Sequence, residues 1–175
     1  MNSSSLAIFG FIALGISVAQ GQEQDMAREG APNNLIEEPT TSSQSWIRRN
    51  DSVDPAIWLA SREAGRLVAR DDPSVGRIRK AFKEAAPKFL ESERMVANRT
   101  AQLAEMLSKD GKPESTVDII EGLSSVVGAE KGKETFGELC QFYFILRHNG
   151  ADRAAVLTDL RKRYGPPATD RSQKE

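Results

Sequence analysis

The chain contains one cysteine and one histidine, and both lie in its last third. Cys140 and His148 are eight residues apart, which on a single helix separates them by about 12 Å, too far for a hydrogen bond. A reactive thiol also needs a positive or helix-N-terminal environment, whereas Cys140 lies next to Leu139 and the apolar run 142–146. The spacing excludes a Cys–His pair within this helix and favours a buried thiol, with an intermolecular disulfide as the alternative.

These two residue types are too few for the common metal and cofactor sites. One His and one Cys cannot supply a zinc finger, an iron–sulfur cluster or a multi-histidine centre. The sequence has no glycine-rich phosphate loop, dinucleotide fingerprint or haem-attachment motif. His148 itself precedes Asn149-Gly150, a pattern typical of a helix C-terminus, where positive charge is favourable. We therefore predict no catalytic residue, no metal and no cofactor.

Carboxylates are plentiful, with 25 Asp and Glu residues, so a hydrolase that uses paired carboxylates stays open as an alternative. Glu91 is followed by Ser92, as in a lysozyme-like acid, but the surrounding FLESERM lacks glycine-rich and aromatic neighbours downstream. Glu91 is more simply explained by the first turn of a helix that opens at Pro87, where negative charge is favourable.

Basic residues are concentrated between Arg62 and Lys88. This segment has eight basic and four acidic side chains, an excess of +4, and three of its arginines recur every four residues. On a helix such spacing forms a ridge that can bind phosphate or an acidic partner surface. The alternative is a solvated helix face with local ion pairs. The predicted basic ridge consists of Arg62, Arg66, Arg70, Arg77 and Lys80.

The overall charge does not favour a nucleic-acid binder. Lys and Arg number 24 against 25 Asp and Glu, for a net charge of −1, whereas nucleic-acid-binding domains usually have a strong basic excess. Asn50 and Asn98 begin formal N-glycosylation triplets. Asn98 falls inside a predicted helix, a poor position for an acceptor, so Asn50 is the better candidate if the host glycosylates proteins.

The N-terminus has the pattern of an export signal. Residues 6–19 are fourteen residues without a charge, which as a helix would span about 21 Å, against roughly 30 Å of membrane hydrocarbon. Small-residue cleavage frames precede Gln20 and Gln22. We predict a signal peptide over 1–21, although its first residues lack the usual basic side chain. A retained membrane anchor and a buried core helix are the alternatives.

The rest of the chain divides by composition. Residues 22–53 form a predicted disordered linker, because most of this stretch has few large apolar side chains and many polar ones. Residues 166–175 begin with two prolines, which end a helix, and we predict a disordered tail there. A helical domain is predicted over 54–165, near the common domain size.

Apolar residues in this predicted domain recur at helical spacing, and strict alternation is absent, so the fold class is predicted as all-α. We expect a compact orthogonal or bundle-like domain of about six helices. The first helix should reach Val68, and the fifth, about 132–148, should lie at the centre because apolar residues surround it. The predicted helices begin near Pro55, Pro73, Pro87, Pro113, residue 132 and residue 151.

Together these patterns favour an exported helical accessory protein that acts through protein–protein contacts in the periplasm or outside the cell. It would present the predicted basic ridge, or its linker, to a protein partner with an acidic surface. We expect neither nucleic acid as a ligand nor stable membrane insertion after signal cleavage. A non-enzymatic role is favoured. The alternatives are a carboxylate-dependent hydrolase of the cell envelope, and a membrane-tethered component of an envelope assembly if the N-terminal segment is retained.

Overall fold

A computed structural model of the chain describes residues 44–128 and 133–166, and these ranges contain six α-helices and no strand. The predicted all-α class is confirmed. One isolated backbone pairing, between Phe89 and Glu134, is the sole β-type contact within those ranges. The helices are α1 (Pro55–Ala64), α2 (Pro73–Ala85), α3 (Glu93–Lys109), α4 (Thr116–Val126), α5 (Phe136–His148) and α6 (Arg153–Tyr164).

Short polar side chains begin four of the helices. Asp54 accepts hydrogen bonds from two backbone N–H groups at the start of α1, and Asp72 accepts one, from the Ser74 N–H, at the start of α2. Ser115 and Asp152 cap α4 and α6. Because the first N–H groups of a helix have no partner within it, each cap satisfies one or two of them.

Helix α1 ends at Ala64, earlier than the sequence predicts. Gly65 adopts a left-handed conformation with φ of 65°, which a glycine tolerates and a continuing helix does not. The chain then turns back so that the Val68 N–H donates to Ser61 Oγ at 3.1 Å. Val68 is buried, although it lies in the loop after α1 and not in the helix.

Helix α3 begins at Glu93, several residues after the predicted start at Pro87. The intervening backbone is held in the isolated pairing: the Leu90 N–H donates to the Glu134 carbonyl at 3.0 Å, and the Glu134 N–H donates to the Lys88 carbonyl at 2.9 Å. These groups face another part of the chain, so they are not available to a helix.

Helix α4, and not α5, lies at the centre. It contacts all five other helices, and most of its residues are buried, including Ile119, Ile120 and Leu123. The predicted central position of α5 is wrong, because α5 packs chiefly against α3 and α6 and leaves part of its surface outside. An apolar pattern around a helix predicts a core position, but part of the apolar surface of α5 is exposed.

Residues 44–51, here called the arm, pack against α1 and α3. Ile47 is fully buried, and the Asn98 side chain both accepts from the Ile47 N–H and donates to its carbonyl, each at 2.9 Å. The Trp58 indole N–H donates to the Gln44 carbonyl at 3.0 Å. The arm is therefore packed on the helices, although its residues fall within the predicted linker (22–53).

The predicted signal peptide (1–21), the first part of the predicted linker (22–43) and residues 167–175 of the predicted tail lie outside the described residues. Of the helices that are described, none is long and apolar enough to cross a membrane.

Candidate functional site

Helix α5 lies at the edge of the fold, and its outward side is apolar. Ile145 is 44% exposed, and Phe142 and Phe144 are partly exposed. These three residues are called the α5 face. The buried side of the helix consists of Phe136, Leu139, Cys140 and Tyr143.

The N-terminus of α5 is held by a carboxylate from outside the helix. Glu91 accepts from the backbone N–H groups of Phe136 and Gly137, each at 2.9 Å, whereas the side chain of Thr135, at the cap position, does not cap the helix. The prediction that Glu91 lies in the first turn of α3 is wrong, because that helix starts later. The predicted preference for a helix N-terminus is met, but by a different helix.

The C-terminal half of α5 is held by Glu114, whose side chain is 8% exposed. Glu114 accepts from the Tyr143 hydroxyl at 2.7 Å and from Arg147 Nε at 2.9 Å, and Arg153 Nε of α6 lies 3.6 Å away. Burial and the hydrogen bond to Glu114 raise the pKa of Tyr143. A buried carboxylate with this many partners fixes where α5 and α6 lie.

A groove of about 540 Å³ runs between α5 and α6. On the α5 side, Phe142, Ile145 and Leu146 line it, and the buried side chain of Leu160 contributes from α6. The polar part of its lining comes from the end of α6 and consists of Asp159, Lys162 and Arg163.

A second groove, of about 550 Å³, lies on the other side of α5 against α3. Phe144 and Met106 provide apolar lining, and Glu91, Arg99 and Glu138 provide charge. Arg99 Cζ also lies 5.8 Å from the ring centroid of Trp46 in the arm. This groove therefore contains two acidic residues and one basic residue, unlike the α5–α6 groove.

Cys140 lines the α3–α5 groove but is only 7% exposed. Burial raises the pKa of its thiol, and the nearby charge of Arg99 opposes this only in part. Because the thiolate is the nucleophilic form, these surroundings do not activate Cys140. The predicted buried thiol agrees with this position.

His148 closes α5 and pairs with Asp110, with His148 Nδ1 and Asp110 Oδ1 3.0 Å apart. Its ring also stacks on Phe144, with centroids 5.7 Å apart. The predicted position at a helix C-terminus is confirmed.

In the described part of the chain, four carboxyl groups have a pKa that is displaced, and each is shifted downward: Asp54, Asp72, Glu105 and Asp110. A hydrolase with a carboxylic general acid needs a pKa displaced upward. Among the residues that the structure describes, no group of three or more His, Cys, Asp or Glu side chains is arranged to hold a metal ion.

The five residues of the predicted basic ridge do not share one helical face. Arg62 is on α1, but Arg66 and Arg70 follow its end, and Arg77 and Lys80 are on α2. The four-residue spacing predicted a ridge only on the assumption that α1 continued past Gly65.

The members of the ridge also differ in their contacts. Arg62 lies 3.0 Å from Glu105 and packs over Trp58, with 5.6 Å between Arg62 Cζ and the ring centroid. Arg70 lies 3.8 Å from Asp54 and Lys80 lies 4.0 Å from Glu84. Arg66 donates to the Leu67 carbonyl. Arg77 has no ion pair with any residue in the described ranges.

Three residues that organise this side of the molecule were missed as such in the sequence. The sequence pattern places Glu91 in a different helix, identifies Asn98 only as part of a glycosylation triplet, and places Trp46 in the predicted linker. Asn98 is fully buried with both amide atoms bonded, so it is no acceptor for a glycan in the folded chain. The adjacent apolar pair Trp46-Ile47, in an otherwise polar stretch, was the one available signal.

The comparison with protein families completes the description of this region. A family model described as MoxZ matches residues 56–165. The chain belongs to the MoxZ family. The MoxZ match begins in α1 and ends just after α6, so it includes the whole α5 face and both grooves, while the arm precedes it. No curated protein and no solved structure matches the chain.

Proposed function

We propose that the chain is an exported accessory protein of a methanol dehydrogenase system and that it acts by binding a protein of that system. The MoxZ family is a family of accessory proteins associated with methanol dehydrogenase. Membership supports a protein partner and an accessory role. The partner and the export are our proposals.

The observation on which the proposal rests is the α5 face. Ile145 is 44% exposed and lines the α5–α6 groove. Met106 of α3 is 36% exposed and lines the α3–α5 groove together with Phe144. Scattered apolar residues on a surface need no explanation, but exposed apolar side chains grouped along one helix are typical of a protein-binding surface. A helix that is apolar around most of its circumference is normally buried on all sides. Because α5 lies at the edge of the fold, part of its apolar surface is not buried by the other residues that the structure describes.

Binding to purified methanol dehydrogenase from the host, as the intact holoenzyme, tests this proposal. The wild-type mature chain should bind, and Phe144→Asp should weaken the affinity at least tenfold because it places a charge in an apolar contact. Leu67→Asp is the matched control, since Leu67 is also exposed, at 53%, but lies in the loop after α1. Absence of binding by the wild type, or equal loss in both variants, would contradict the proposal.

Export is supported by the uncharged run 6–19 and the small-residue frames after it. Intact-mass measurement on protein from the native host should find a chain that begins at Gln20 or Gln22 in the periplasmic or external fraction. A chain that begins at Met1 in the membrane fraction would support the tethered alternative instead. Met1 in the cytosol would contradict export altogether.

The predicted basic ridge stays a proposal for a second contact with an acidic surface. Arg66, Arg70 and Arg77 are exposed, and charge of this kind typically raises association rates more than affinity. The double variant Arg66→Glu and Arg70→Glu in the same assay should slow association. An unchanged association rate would remove the ridge from the interface.

A further inference from the structure

The α5–α6 groove combines an apolar lining with a basic end. Ile145 and Leu146 of α5 and Leu160 of α6 line its length. Arg163 lies over the ring of Phe142, with 4.9 Å between Arg163 Cζ and the ring centroid, and Lys162 is 73% exposed. Arg161 precedes them, so the last turn of α6 contains three consecutive basic residues before Tyr164.

Charge distinguishes this groove from its neighbour across α5. The α5–α6 groove is lined by two basic residues and one acidic residue, Asp159, whereas the α3–α5 groove has two acidic residues and one basic residue. Lys162 Nζ lies 2.9 Å from Asp159, but a surface pair between a flexible lysine and an exposed aspartate is weak and exchanges readily. An acidic segment therefore fits the α5–α6 groove better than the α3–α5 groove.

A groove between two packed helices fits a helical occupant. Helices α5 and α6 are consecutive in the chain and pack against each other, and a third helix can place its apolar face in the groove between two such helices. Strand addition, the mode in which a peptide pairs its backbone with a sheet edge, is not open to the described ranges, because they contain no sheet.

We propose that the α5–α6 groove binds an acidic amphipathic helix of the partner protein. The apolar stripe of that helix packs on Phe142, Ile145 and Leu146, and carboxylates one turn apart pair with Lys162 and Arg163. This inference rests on the proposed function, since it names the chemistry of the partner that the α5 face binds.

Charge reversal tests the inference in the full mature chain with purified methanol dehydrogenase as the probe. Lys162→Glu together with Arg163→Glu should weaken binding at least tenfold at about 0.05 M salt, and less at about 0.5 M, where surface charges are screened. Lys109→Glu is the control. Lys109 is 74% exposed and pairs with Glu105 on the same helix, as Lys162 pairs with Asp159, but it lies at the end of α3.

Hydrogen exchange locates the contact independently of any variant. Residues 142–146 and 159–163 should become protected when the enzyme is bound, with no matching change at the end of α3. Protection confined to the α3–α5 groove would overturn the inference.

The outcomes separate the two proposals. If Phe144→Asp abolishes binding but the double reversal behaves like Lys109→Glu, the accessory function stands and the acidic helix is wrong. If the wild type does not bind, the proposed function fails first. Two further results would overturn the inference: a dimer of this chain that Ile145→Asp dissociates, and binding to anionic vesicles that the double reversal abolishes.

Discussion

At the scale of single residues, Glu91 shows how a carboxylate can stabilise a helix that is distant in the sequence. It is 45 residues before Phe136, whose N–H it accepts, and it also accepts from the next residue of α5. Two N–H groups that have no partner within the helix are thereby satisfied, and the negative charge lies at the positive end of the helix dipole.

Glu91→Gln should lower the free energy of unfolding by about 0.5–2 kcal/mol, because the amide has one acceptor atom in place of two and no charge. Urea unfolding followed by circular dichroism measures the change. Glu121→Gln is a suitable control, since Glu121 is exposed on α4, and its effect should stay within about 0.5 kcal/mol. Equal changes in the free energy of unfolding of the two variants would mean that the capping contact does not stabilise the fold.

At the scale of elements, the side chain of Asn98 makes the main polar contact that attaches the arm to α3. Asn98 satisfies both the N–H and the carbonyl of the buried Ile47, as a neighbouring strand would, and Arg94 adds a second bond to the same carbonyl at 3.0 Å. Backbone groups buried without such partners are costly.

Asn98→Ala should therefore destabilise the fold by about 1–3 kcal/mol, since it leaves the Ile47 N–H buried without a partner. It should also speed trypsin cleavage at Arg48 and Arg49, which are exposed beside the attachment point. Gln102→Ala, one turn further along α3 and exposed, should cleave at the wild-type rate. A wild-type rate in Asn98→Ala would show that the arm is held by its apolar contacts alone.

Helix boundaries also belong to this scale, and they show where sequence reasoning stops. The Asp–Pro pairs at 54–55 and 72–73 predicted two starts correctly, because capping is decided by adjacent residues. The start of α3 was misplaced because the Leu90 backbone pairs with Glu134, a contact between distant parts of the chain that no local pattern reveals.

At the scale of the whole molecule, carboxylates linked to cations couple folding to pH. Partial burial alone would raise the pKa of Asp54, but hydrogen bonds from Arg79 and from the Ile57 N–H outweigh it. The hydrogen bond from Lys112, with a contribution from His148, lowers the pKa of Asp110.

A carboxyl group whose pKa is lower in the folded state stabilises the fold above its unfolded pKa, and the contribution is lost as pH falls through the folded value. Stability should therefore begin to fall below about pH 4, near the unfolded values of Asp and Glu. Urea unfolding between about pH 2.5 and pH 7 measures this. Asp54→Asn should make the loss of stability below about pH 4 smaller than in the wild-type chain, because it removes one of the carboxyl groups whose pKa is lowered on folding. An identical loss in the wild type and in Asp54→Asn would contradict the assignment.

The sequence by itself determined the fold class, several helix starts and the inert character of Cys140. These properties follow from local capping and from the period and content of apolar residues. Tertiary structure alone decided which helix is central. α4 is short and unremarkable in the sequence, yet it contacts every other helix. The most apolar helix, α5, lies at the edge of the fold, with Ile145 exposed. An apolar sequence favours burial of a helix surface, but it does not determine whether the same chain or a partner protein buries that surface.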